Sequence, residues 1–224
     1  MSRLATRRTF LGRSAVAAAG IGLAARVLGA EGQAPPSDSI TLGAIGVGPM
    51  GMANVGEFLR QPDARFVAVC DVHEPKLGAA VQRCTAKGGK VETYRDFRKL
   101  LERKDVDACL VASPPHWHAI MSVAVLKSGR DLYVEKPMTM YLEESKAIVK
   151  AATENKRVSQ VGTQIHATPN YRRVVEIVRS GALGTISVVR AFNVMNQGVA
   201  GIGKTPEGPP PADLDWDMFC GPAP

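Results

Sequence analysis

The stretch Gly46-Val47-Gly48-Pro49-Met50-Gly51 constrains the fold of this chain more than any other. It follows the apolar run Ile40-Thr41-Leu42-Gly43-Ala44-Ile45, and a lone acidic residue, Asp71, closes a second apolar run, Arg65-Phe66-Val67-Ala68-Val69-Cys70, about twenty residues on. Glycines at this spacing also occur in turns of unrelated α/β domains. Here the strand before them and the helix after them agree with Asp71 on a dinucleotide-binding turn, Pro49 falling near the first helical turn and Met52, Val55 and Leu59 at helical spacing. Gly46 allows a tight strand-to-helix turn, Gly48 has no Cβ to hold a pyrophosphate away, and Gly51 lets the helix lie close on the strand. Pro49 and Met50 complete the expected cofactor-binding loop, with N-terminal helix N–H groups facing the phosphates. A carboxylate at position 71 accepts from ribose hydroxyls and repels a 2′-phosphate, so NAD is expected over NADP.

Residues 1–30 read as a targeting segment. Arg7-Arg8-Thr9-Phe10-Leu11 is a twin-arginine signature, followed by a mildly apolar, Gly/Ala-rich stretch from Ala15 to Leu28. That stretch is short of a bilayer span and is bracketed by Arg13 and Arg26, so a removed signal is expected rather than a membrane anchor. The implied partner is the twin-arginine translocation machinery, which carries folded proteins, and the implied destination is the periplasm or beyond. The signal also accounts for the basic charge. Arg3, Arg7, Arg8, Arg13 and Arg26 supply five of the +7 formal charges and leave +2 for the remainder. The other Lys and Arg residues are interspersed with Asp and Glu, as in Glu143-Glu144-Ser145-Lys146, which excludes a nucleic-acid surface. Cys70, Cys84, Cys109 and Cys220 lack C-x-x-C or other metal-ligand spacing, so neither a metal site nor a disulfide framework is expected.

Residues 31–39 form a short Pro- and Ser-containing linker. From 40 to 162 strands and helices alternate. After the first two pairs come a short strand near Val91–Thr93 and a helix opened by Asp96 that carries Phe97, Leu100 and Leu101. Next are the strand Ala108–Ala112, a helix from about His118 to Ser128, the strand Asp131–Val134, a helix from about Leu142 to Asn155 and the strand Val158–Val161. Continuous apolar strands between amphipathic helices imply an α/β doubly wound parallel sheet covered on both faces. Beyond 162 the character changes. Thr168-Pro169 opens a helix with Tyr171, Val174, Val175 and Val178 on one stripe, a long strand is expected from Thr185 to Val194, and the tail is rich in Gly and Pro. One helix and one strand bury no core of their own, so 163–224 reads as the start of a second α/β domain with an open, mostly antiparallel sheet, incomplete as given.

The loop Glu135-Lys136-Pro137 follows the fifth expected strand, at the sheet edge where ligands bind in this architecture. A lysine there can donate to the oxygen of a substrate bound over nicotinamide, and partial desolvation lowers an ammonium pKa toward a useful range. Glu135 is placed to orient Lys136 or to contact ribose. Ser113-Pro114-Pro115-His116-Trp117-His118 follows the fourth strand and passes beside the cofactor. Within it Ser113, Pro114, His116 and His118 are candidate cofactor contacts, although His118 can equally satisfy backbone groups at a helix start. Trp117 packs on a cofactor or substrate ring, or forms an interdomain contact. Gln164 and His166 are candidate substrate contacts.

These segments, with Val161-Gly162-Thr163-Gln164, resemble the Gfo/Idh/MocA oxidoreductases, which include glucose-fructose oxidoreductase and inositol dehydrogenase. The resemblance runs from about Ile40 to the end, and Leu214-Asp215-Trp216-Asp217-Met218-Phe219-Cys220-Gly221-Pro222-Ala223-Pro224 looks like a segment of its exported, twin-arginine members. It implies a nucleotide domain followed by a sheet used for substrate binding and homo-oligomer contacts. It also implies that Lys136 is catalytic and that the cofactor is often held tightly through the cycle. The family's Asp and His partners of the lysine, often spaced D-x-x-x-H, have no match here. The resulting expectation is an NAD(P)-dependent oxidoreductase of a sugar, polyol or related hydroxy compound. The alternatives are NAD-dependent glycoside cleavage by transient oxidation and elimination, and a nucleotide-binding or oligomerisation fragment without activity.

Overall fold

The computed structural model describes residues 38–86, 89–192 and 208–223. The signal and most of the linker lie outside them. Six strands, β1 (Ile40–Ile45), β2 (Ala64–Cys70), β3 (Glu92–Tyr94), β4 (Ala108–Val111), β5 (Asp131–Glu135) and β6 (Ser159–Gly162), form one sheet in the order β3-β2-β1-β4-β5-β6. Every pairing in it is parallel. The connecting helices are α1 (Pro49–Phe58), α2 (Glu74–Thr85), α3 (Phe97–Leu100), α4 (Pro115–Lys127) and α5 (Leu142–Glu154).

The apolar strands divide their side chains between two cores. Leu42 and Ala44 of β1, Phe66 and Val69 of β2 and Leu110 of β4 pack with Val55 of α1 and Leu77, Ala80 and Cys84 of α2. Ile45, Ala68, Cys70, Cys109 and Val111 face the other way, onto Phe97 and Leu100 of α3, Met121, Val125 and Leu126 of α4 and Ile148 of α5. Burial on both faces is why these strands read as unbroken apolar runs instead of alternating ones. The cysteines are free thiols. Burial pushes Cys84 up to about 11 and Cys109 up to about 12. Cys70, buried and next to the Asp71 carboxylate, is raised further. At neutral pH these three thiols act as small core hydrophobes.

Two expectations are corrected. Helix α4 begins at Pro115 and not near His118, because Pro114 is extended (φ −57°, ψ 147°) and a proline fits the first helical position, where an N–H has no partner anyway. The strand expected from Thr185 does not form over residues 185–192, and 193–194 lie outside the described residues. A lone extended segment has no neighbour to take its main-chain hydrogen bonds. Helix α6 (Pro169–Arg179) forms as expected but buries none of its residues. Among the described residues no second sheet is therefore evident. Residues 208–223 instead return to the nucleotide domain through an antiparallel bridge between Leu214 and His73 and the short helix α7 (Trp216–Cys220).

Candidate cofactor site

The chain order of the sheet reverses between β1 and β4, and this opens a crevice at the carboxyl ends of the strands. Gly46 makes the turn out of β1 with φ +84°, and a Cβ there would stand 2.6 Å from the carbonyl carbon of Ala112 and 2.6 Å from the amide nitrogen of Ser113. Its own N–H donates to the Cys70 carbonyl at 2.8 Å, so the turn is pinned between β2 and β4. A Cβ on Gly51 would collide with the Gly46 carbonyl oxygen. Gly48 differs from both. It is the N-cap of α1 with φ −66°, and a Cβ on it would meet no atom within 4 Å. The space beside it belongs to a cavity of about 380 Å³. Open space at the N-terminus of a helix, next to a glycine backbone, fits a pyrophosphate.

Gly46, Gly48, Pro49, Met50, Asp71, Ser113, Pro114 and Trp117 all line that cavity. Asp71 does more than face it. Its Oδ2 accepts from the Val47 N–H at 2.8 Å and its Oδ1 from the His73 N–H at 3.0 Å, tying the glycine loop to the end of β2. Lys76 and Arg95 add two cations to the lining beside Asp71, and Arg95 also donates to Glu74 Oε2 at 2.6 Å. Phe97, Met121, Met218 and Phe219 supply apolar wall that the motifs did not point to. Their signal in the sequence is only that of ordinary core or tail residues.

Trp117 apart, the remaining candidates are not in the cavity lining and do different things. His118, 1% exposed, has Nδ1 2.6 Å from the Pro137 carbonyl oxygen and Nε2 2.8 Å from that of Ser113, so it links the loops after β4 and β5. Glu135, 4% exposed, accepts from Asn54 Nδ2 at 2.7 Å and from the Lys136 N–H at 3.0 Å. Both are held by this chain's own groups and brace the Lys136 loop, in which the Lys136–Pro137 peptide is cis. Lys136 itself is exposed at the sheet edge, without the desolvation expected of it. His116 Nε2 lies 3.0 Å from the Phe219 carbonyl oxygen, and Trp117 Nε1 donates to the carbonyls of Met218 and Phe219 at 3.0 and 3.2 Å. Gln164 and His166 are exposed beyond β6. Among the described residues no cluster of three or more His, Cys, Asp or Glu side chains could hold a metal, and no helix is long and apolar enough to cross a membrane.

A glycosyl hydrolase family 109 protein of Shewanella baltica is 30% identical over 158 residues, which are 68% of this chain and 34% of that protein. An alpha-N-acetylgalactosaminidase of Shewanella oneidensis is 28% identical over the same shares. The chain thus spans about a third of the length of these curated relatives. Among solved structures, the WlbA dehydrogenase of Bordetella pertussis, in complex with NADH and UDP-GlcNAcA, has a TM-score of 0.59 at 26% identity over 65% of this chain and 43% of that one. The myo-inositol 2-dehydrogenase of Lactobacillus plantarum has a TM-score of 0.60 at 21% identity over 66% and 43%, and shows the fold. Residues 40–163, which hold the glycine turn, Asp71 and the Glu135-Lys136-Pro137 loop, match the Gfo/Idh/MocA oxidoreductase family with its NAD-binding Rossmann fold, and the chain belongs to that family.

Proposed function

We propose that this protein is an NAD-dependent oxidoreductase acting on a CH–OH group of a sugar, polyol or related hydroxy compound. The observation that carries the reading is that one cavity joins the open side of Gly48 to Asp71, Ser113 and Trp117 at the carboxyl edge of the sheet. Gly48 and the first turn of α1 hold the pyrophosphate, and Asp71 takes the adenosine ribose with the acceptor capacity its two backbone bonds leave free. Bound nicotinamide supplies the hydride acceptor. Lys136, in a loop fixed by Glu135, Asn54 and His118, holds the substrate oxygen, donating a proton to it in the direction of reduction and taking one in the direction of oxidation. Gln164 and His166 are the proposed substrate contacts, whereas Trp117, expected as one, has its indole N–H engaged by the carbonyls of Met218 and Phe219.

Fluorescence titration with NADH and NADPH tests this. Asp71→Ala should weaken NADH binding by about 1.5–3 kcal/mol, the usual cost of a lost charge-assisted hydrogen bond, and weaken NADPH binding far less. A wild-type preference for NADPH sinks the role given to Asp71.

A second reading is favoured by the glycosyl hydrolase relatives. Oxidation at one sugar carbon acidifies the neighbouring C–H, that proton is lost as the glycosidic substituent leaves as its alcohol, water adds across the resulting double bond, and the hydride is then returned to the ketone. Glycoside cleavage without accumulation of NADH selects this reading, and accumulation of NADH matched to substrate selects the first.

We also propose export by the twin-arginine route, on the strength of Arg7 and Arg8. Replacing both with Lys should leave a folded protein in the cytoplasm, as read by cell fractionation. Undiminished delivery of that double variant to the periplasm excludes the route.

A further inference from the structure

Residues 213–221 complete the wall of the cofactor cavity from outside the sheet. The segment is pinned to the ends of the two strands that flank β1. Near β2, the Asp215 N–H donates to the Val72 carbonyl at 2.9 Å and the Glu74 N–H to the Asp213 carbonyl at 3.2 Å, on either side of the bridge between Leu214 and His73. Beyond β4, His116 and the Trp117 indole N–H meet the carbonyls of Met218 and Phe219. Asp215 caps α7 by accepting from the Met218 N–H at 3.0 Å, which sets the helix that carries Met218 and Phe219 into the cavity lining. Gly221, at φ +51°, runs against the Trp117 indole, where a Cβ would stand 2.8 Å from Nε1 and closer still to the ring carbons. His116 and Trp117 thus have a task that no cofactor contact explains. They hold a polypeptide strap over the crevice.

We propose that Met218 and Phe219 are cofactor-binding residues that cover the adenosine half of NAD and slow its release. This rests on the proposed binding of NAD in the same cavity. The strap is anchored at Val72, His73 and Glu74, directly after Asp71, and the acidic residue closing the second strand marks the ribose of the adenosine half. Adenine offers two flat π faces, which a thioether and an aromatic ring suit, and Phe97 lies in the same lining. Because the Phe219 anchor is a main-chain carbonyl, its side chain can be removed without removing the anchor. A strap over a preformed cavity acts mainly on dissociation, since mutational effects on affinity fall mostly there.

Stopped-flow release of NADH, chased with excess NAD, is measured for the wild type, Phe219→Ala and Gly221→Ala. Phe219→Ala removes wall, and Gly221→Ala prises the strap from Trp117 without altering any residue that lines the cavity. Both should release NADH about tenfold faster. Thermal unfolding without cofactor reports whether each variant is folded. Affinity for ADP-ribose, measured by calorimetry, should fall by a similar factor, because the contact is with the half that ADP-ribose retains. Wild-type release rates in both folded variants overturn the proposal while leaving NAD binding intact. Faster NADH release with unchanged ADP-ribose affinity overturns the placement over adenosine. Failure of the wild type to bind NADH overturns the cofactor reading and this one with it.

Discussion

Gly46→Val and Gly48→Val, two substitutions in one motif, are expected to fail for different reasons. At Gly46 the backbone has φ +84°, a region in which a β-branched residue is a genuine outlier, and the new Cβ would lie 2.6 Å from main-chain atoms of Ala112 and Ser113. Those atoms belong to the end of β4 and cannot swing aside as a flexible side chain does. Left-handed strain of about 1–2 kcal/mol and overpacking of about 1–3 kcal/mol together reach about 3 kcal/mol, a large share of the stability of a domain this size. Differential scanning calorimetry should show a fall in Tm of roughly 6–12 °C, with NADH binding lost because the turn no longer closes. At Gly48 φ is an ordinary −66° and the Cβ meets nothing, so the cost to the fold is at most about 1 kcal/mol of lost N-cap preference. NADH binding should nonetheless fall by about a hundredfold or more, since the side chain fills the space a pyrophosphate needs, and a factor of ten is only about 1.4 kcal/mol. Tight NADH binding by Gly48→Val would remove the phosphates from that space. An unchanged Tm for Gly46→Val would mean that the turn is not held as described.

The two glycines also mark what could be read in the sequence. Strand, turn, helix and Asp71 were legible because each is a local pattern whose period or spacing follows directly from backbone geometry. The parallel, doubly wound sheet followed, since continuous apolar strands between helices leave few arrangements, whereas the order β3-β2-β1-β4-β5-β6 is seen only in the structure. The partners of polar groups were not legible. Nothing in the spacing of Asp71 says that its carboxylate also accepts from the Val47 N–H, and nothing in Glu135-Lys136-Pro137 says that Asn54, 81 positions away, completes the Glu135 carboxylate. His118 was equally plausible as a cofactor contact and as a group satisfying the backbone. Its two carbonyl neighbours and its burial describe the latter. Thr185 to Phe192 fits a strand by alternation, yet a strand exists only where another accepts its hydrogen bonds, and that depends on residues elsewhere. The return of residues 208–223 to the nucleotide domain is held largely by main-chain carbonyls and amides, which carry no sequence signal at all.

Lys136→Met should separate binding from chemistry. The methionine keeps much of the length and apolar stem of the side chain but removes its three N–H donors, so a substrate oxygen loses its proton donor while the glycine turn and Asp71 are untouched. The loop itself should stay in place, because its anchors are the main-chain N–H of Lys136 on Glu135, the Pro137 carbonyl on His118 and the Asn54 amide on the Glu135 carboxylate, none of which involves the lysine side chain. NADH affinity is therefore expected to match the wild type, and turnover to fall by roughly two to four orders of magnitude, the usual contribution of a positioned acid–base group. The same drop should appear whether the reaction followed is hydride transfer or glycoside cleavage, since both require a proton to leave the substrate hydroxyl as its carbon is oxidised. The exposure of Lys136 sharpens the comparison. An exposed loop lysine with only a solvated role can be replaced without kinetic consequence, so Lys136→Met with near-wild-type turnover would remove it from the mechanism. A loss of turnover accompanied by an equal loss of NADH affinity would instead make it a cofactor contact.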